Sequence, residues 1–68
     1  MAIEDYTEAI RLNPNNASYY WGRGISYDSI GEQNRAIADL EVAVHLDPND
    51  NMYREVLRQI SEGLGDMR

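Results

Sequence analysis

Gly22-Arg23-Gly24 opens like a glycine-rich phosphate loop, in which backbone N–H groups cradle a pyrophosphate at a helix start. The third glycine of that fingerprint is absent, since Tyr27 stands in its place, and no strand precedes the segment. Asp47-Pro48-Asn49-Asp50-Asn51 opens with the oxygen-ligand spacing of a calcium loop. Met52 then replaces the glycine such a loop needs, and Arg58 stands where its closing glutamate belongs. Asn16-Ala17-Ser18 fits a glycosylation acceptor, which requires a secretory route. His45 is the sole histidine and there is no cysteine, so a transition-metal site or a thiolate nucleophile has no partner set to build on. No Ser, Thr or Lys falls beside a His and a carboxylate in a nucleophile arrangement. Glu4, Asp5 and Glu8 sit where carboxylates favour the start of a helix dipole. These residues read as helix punctuation and solvated faces. No catalytic centre, cofactor or metal site is expected.

Composition narrows the partners further. The net charge is −6, from twelve carboxylates against six arginines and no lysine. A nucleic-acid ligand needs a cationic footprint that displaces counterions, and an anionic membrane surface needs the same. Neither is expected. No apolar run approaches the roughly 20 residues of a membrane span, and no basic segment followed by an apolar block marks a secretion signal. A cytoplasmic setting is the expectation. At 68 residues, a single small domain has little core, because chains of this size bury only about 60% of their unfolded surface.

The dominant organisation is a repeat. Pro14 and Pro48 lie 34 residues apart, and Ala2 to Asn16 aligns without a gap on Ala36 to Asp50, with seven of fifteen places identical. Such a period marks a chain whose units cover each other's apolar faces. Within the full period, Tyr20, Gly24, Tyr27, Ala36, Leu40, Ala43 and Pro48 follow one another at set separations. This series resembles the tetratricopeptide repeat, whose pattern is aromatic, Leu-Gly, Tyr, Ala, large apolar, Ala and Pro. The resemblance covers one complete unit and half a unit before it, with a weaker half following. Arg23 departs from the pattern's Leu, and Arg58 stands where the following unit's Gly belongs.

The apolar spacing predicts four helices. Ile3, Tyr6, Ala9, Ile10 and Leu12 stripe the first, and Asn13-Pro14-Asn15-Asn16 ends it. The second runs from about Ala17 to Ile30, capped by Asn15 or Asn16 and stopped at Gly31. The third runs from about Gln33 to Leu46, burying Ile37, Leu40, Ala43 and Val44. The fourth runs from Met52 to about Glu62. Gly24 is expected to face Ala36 and let two helices approach closely, with Ala43 doing likewise towards the next unit. Gly22 has no place in the pattern beyond leaving room for a partner side chain.

The resulting expectation is an all-α fold of antiparallel helix-turn-helix units, a tetratricopeptide α-solenoid fragment forming one domain over 1–68. Residues 2–16 make a second-helix half repeat, 17–50 a complete repeat, 51–62 a first-helix or capping half repeat, and 63–68 a frayed tail. The second helix carries a further stripe, Ser18, Trp21, Ile25, Asp28 and Ser29, turned away from its core side. The resemblance implies that this stripe lines a groove that receives partner peptides, together with Met52, Glu55, Val56, Gln59 and Glu62 of the fourth helix. Two readings of Trp21 are open: buried against the preceding helix, or contacting a partner or another copy. Some members of the family hold the C-terminal carboxylate of chaperone tails with groove-side Lys, Asn and Arg. Trp21, Gly22 and Ile25 at those places donate no such bond. The function expected is a non-catalytic protein-protein interaction scaffold with an apolar, acidic groove that favours apolar and basic segments. The alternative is self-association into a homo-oligomer, with or without helix exchange, because the stripe of the first helix lacks a preceding helix to cover it.

Overall fold

The computed structural model describes residues 2–65. It contains α1 (Ala2–Leu12), α2 (Ala17–Ser29), α3 (Gln33–Leu46) and α4 (Asn51–Gly65), with no strand among the described residues. The connections are three to four residues long, and connections this short between helices force antiparallel neighbours. α2 packs on both α1 and α3, and α3 on α4.

Each boundary has a local cause. The Asn16 Oδ1 accepts hydrogen bonds from the Ser18 backbone N–H at 3.0 Å and from the Ser18 hydroxyl at 2.7 Å, capping α2. At its other end Gly31 adopts φ +84°. There the Gly31 N–H reaches the Asp28 carbonyl at 3.1 Å and the Glu32 N–H reaches the Tyr27 carbonyl at 2.9 Å. This pair of bonds closes the last turn in the manner that a left-handed residue past a helix end permits. The Asp50 carboxylate accepts from the Tyr53 N–H at 3.2 Å and caps α4. The residues with calcium-loop spacing are thus a helix stop and a cap. α4 continues beyond the expected end near Glu62, through Gly63 to Gly65. The remainder of the tail, 66–68, lies outside the described residues.

The core is small and sits on α3. Ala36, Leu40 and Ala43 are fully buried, joined by Tyr53 of α4. At Gly24 an added Cβ would come within 3.0 Å of Leu40 Cγ and 3.1 Å of the Ala36 carbonyl oxygen, so the absence of a side chain there sets the α2–α3 distance. Gly22 acquires a specific account. A Cβ there would fall 2.6 Å from the Tyr6 hydroxyl oxygen and 2.7 Å from its Cε1, so the room it leaves is filled from within the chain by a ring of α1. α1 itself buries no residue fully, and Leu12, expected on its stripe, is 62% exposed.

One polar network crosses three helices. Arg23 on α2 donates from Nε and Nη2 to the two oxygens of Asp39 on α3, both at 2.8 Å, and from Nη1 to the Thr7 hydroxyl on α1 at 3.2 Å. Its guanidinium also lies 5.9 Å from the ring centroids of Tyr20 and Tyr27. The Asp39 side chain is only 9% exposed, so the bidentate pair satisfies a charge that burial would otherwise penalise heavily. That pairing is why an arginine occupies a place the repeat pattern gives to leucine, and it raises the Arg23 pKa further above its ordinary value.

Candidate functional site: the α2–α4 face

The predicted groove residues divide by exposure. Ser18, Met52, Glu55 and Gln59 are exposed, while Trp21, Ile25 and Asp28 are half-buried. Of the neighbouring positions, Ser29 and Glu62 are exposed and Val56 is half-buried. Trp21 stacks on Tyr53, with ring centroids 5.7 Å apart and planes inclined by 28°. The ring contact of Trp21 is therefore with α4, the first helix after the complete repeat. The indole Nε1 is enclosed and has no acceptor among the described residues, although buried indole N–H groups usually find one.

Tyr53 is the residue on this face that the sequence reading did not assign to it. It is buried, and burial together with the Asp50 and Asp47 carboxylates pushes its phenol pKa up. The repeat period aligns positions within a unit. The Trp21–Tyr53 stack joins unlike positions of successive units, so it depends on their stacking angle, which spacing does not encode.

The charges on α4 are partly neutralised by their own helix. Arg58 pairs with Glu55 and, at 2.9 Å, with Glu62, and Gln59 donates to Glu55 at 3.2 Å. Pairing with Arg58 draws the Glu55 carboxyl below its usual range. Arg54 forms no ion pair among the described residues.

At one end of α2 an open cleft of about 590 Å³ lies between the two proline turns, lined by Pro14, Asn16, Ser18, Leu46, Asp47 and Tyr53 among others. The Tyr20 hydroxyl donates to the Pro14 carbonyl at 2.8 Å and holds the first of these turns against α2. His45 is exposed. Among the described residues no group of three His, Cys, Asp or Glu is placed to hold a metal ion, and no helix is long and apolar enough to cross a membrane.

A family model described as "Tetratricopeptide repeat" matches residues 17–50, half of the chain, and a second described as "TPR repeat" matches residues 1–31. The chain belongs to the tetratricopeptide repeat family. It is 43% identical over 49 residues to the small glutamine-rich tetratricopeptide repeat-containing protein 2 of Saccharomyces cerevisiae, covering 72% of this chain and 14% of that protein. It is 41% identical over 58 residues to the DnaJ homolog subfamily C member 7 of Mus musculus, covering 85% of this chain and 11% of that protein. The Hsp70-Hsp90 organizing protein of Triticum aestivum is 40% identical over 47 residues, covering 69% of this chain and 8% of that protein. The chain thus spans a small fraction of the length of these curated relatives. The antiparallel helix pairs, the Gly24 contact with Ala36 and Leu40, and the proline turns are the tetratricopeptide architecture expected from the repeat.

Proposed function

We propose that this tetratricopeptide chain is a non-catalytic protein-interaction module. Its ligand-binding face is the α2–α4 side, carried by Ser18, Trp21, Ile25, Asp28, Met52, Glu55 and Gln59. The observation that carries this reading is the Trp21–Tyr53 stack. α2 already contributes Gly24 to the packing on α3, so Trp21 is a second apolar side, partly open, with an N–H that lacks an acceptor. Exposed apolar surface beside a rigid aromatic is the usual mark of a contact site. The favoured ligand is a peptide or protein segment with apolar anchors and Arg or Lys, drawn by the net charge of −6. One relative is named for organising Hsp70 and Hsp90, but no groove place on the complete repeat offers a cation for a chain-terminal carboxylate, so a chaperone tail held that way is not the ligand proposed. The working compartment in this reading is the cytoplasm.

Self-association is the weaker reading. Where α2 presents Tyr20, Gly24 and Tyr27 to α3, α4 presents Arg54, Arg58 and Ser61 at the equivalent places. Copies stacked end to end through α4 would therefore place Arg58 where, within the repeat, even a Cβ would be in tight contact with the facing helix. A homo-oligomer formed by helix exchange would avoid that contact.

The test is Trp21→Ala, with affinity for a leucine- and arginine-containing peptide measured by titration and helix content by circular dichroism. Affinity is expected to fall by more than ~1 kcal/mol, as for an aromatic anchor, with the helices retained. Unchanged affinity would remove Trp21 from the interface, and joint loss of helix and binding would assign it to the core.

A further inference from the structure

The side chain of Asp47 is left without a task by the fold. Its backbone N–H reaches the Ala43 carbonyl at 2.9 Å, and its carbonyl accepts from the Asp50 N–H at 3.2 Å. Its carboxylate is half-buried and makes no hydrogen bond or ion pair among the described residues. That carboxylate lines the cleft of about 590 Å³ between the two proline turns, together with Asn13, Pro14, Asn15, Leu46 and Tyr53. The side-chain amides of Asn13 and Asn15 are likewise unbonded among the described residues. No Lys, Arg or His is among the residues lining the cleft. Both walls are held in place beforehand. The Tyr20 hydroxyl ties the Pro14 carbonyl to α2 at 2.8 Å, and the Asp50 carboxylate ties the turn before α4 to the Tyr53 N–H at 3.2 Å. A cleft with fixed walls and unused acceptors loses little freedom when a donor enters it.

We propose that this cleft is a subsite for an arginine side chain of the bound peptide, with the guanidinium paired to the Asp47 carboxylate. The proposal rests on the reading of the α2–α4 face as the peptide site, and it says where the cation of that peptide goes. The two surfaces are continuous. Tyr53 stacks on Trp21 and also lines the cleft, and Ser18 belongs to both. A segment anchored on Trp21 therefore passes over Tyr53 into the cleft. Charge selects the occupant: Asp47 and Asp50 lie close enough to the Tyr53 phenol to add to its raised pKa, and no cation of the cleft cancels their potential. Shape narrows the choice to arginine. Its planar fork of N–H donors can meet the Asp47, Asn13 and Asn15 oxygens together, while its apolar stem lies along Leu46 and Pro14. A lysine ammonium is a compact, strongly hydrated point charge and satisfies fewer of these acceptors at once.

The test titrates the 68-residue chain with a labelled leucine-rich peptide carrying one arginine, and with the same peptide carrying citrulline, its uncharged isostere, in that place. Asp47→Asn in the chain and citrulline in the peptide are each expected to weaken binding on the order of tenfold, as for loss of a charge-assisted hydrogen bond. The two changes together should cost no more than either alone, the sign of a direct pair. Asp47→Asn is expected to leave the circular dichroism spectrum unchanged, because Asn13 occupies the equivalent place in the preceding turn. Glu41→Gln, at an exposed place on α3, removes the same charge away from the cleft and should change affinity by less than about twofold, the salt-screened effect of a distant charge. Binding that depends on Trp21 but falls no more with Asp47→Asn than with Glu41→Gln would overturn the cleft subsite and leave the Trp21 face standing. Equal affinity for the arginine and citrulline peptides would do the same. Affinity unmoved by Trp21→Ala would overturn the reading of the face itself, and absence of binding would overturn both.

Discussion

A methyl group at Gly22 would collide with the ring of Tyr6, and the colliding ring atoms are the distal ones. Gly22→Ala is therefore expected to destabilise by about 1 kcal/mol or more through overpacking. With Tyr6→Leu, which removes those atoms, the same substitution should become favourable by up to ~1 kcal/mol through helix propensity. Denaturant titrations of the four chains test this, and an equal effect in both backgrounds would refute the Gly22–Tyr6 contact. Tyr53 gives a pH signature. Its folded-state pKa is raised above the ordinary 10.0, so the unfolded chain releases that proton first. The associated stability is complete below about pH 10 and falls as pH rises towards the folded value. Thermal melts at about pH 8 and about pH 11 should show a smaller alkaline loss for Tyr53→Phe than for the parent; equal losses would mean that Tyr53 is not the responsible group. Neither the Gly22 contact nor the Arg23–Asp39 pair was legible in spacing alone. Both look like departures from the repeat pattern until the facing helix supplies Tyr6 or Asp39.

At the scale of elements, the helices were legible because their punctuation is chemical. Proline turns, the Asn16 cap and the positive φ of Gly31 fix the limits of α2 whatever packs beside it. The end of α4 was less legible. Gly63 reads as a breaker, yet the helix passes through it to Gly65, and a single glycine costs a helix only about 1 kcal/mol. The close α2–α3 contact is open to direct test. Gly24→Leu and Ala36→Leu should each cost about 1–3 kcal/mol by forcing these helices apart, visible as lowered melting temperatures. Parent-like melts for both would mean that α2 and α3 pair differently. The proposed α2–α4 face rests on a stripe of residue types in the sequence. The stack across it was not legible there, because cross-unit contacts depend on how successive units tilt.

For the whole molecule, a small core and a net charge of −6 describe a chain suited to holding a face in place. Its helices spread over 38 × 28 Å but only 13 Å in depth. A slab of that shape exposes both sides, so which side receives a ligand is the central claim. The most direct measurement is backbone amide chemical-shift mapping of the labelled chain, titrated with a short peptide that alternates leucine and arginine. The account predicts shifts concentrated at Ser18, Trp21, Ile25, Met52, Glu55 and Gln59, with a marked change in the Trp21 indole N–H signal and little change at Glu41 and His45 on α3. Shifts clustered on the exposed residues of α3, or none at saturating peptide, would contradict it.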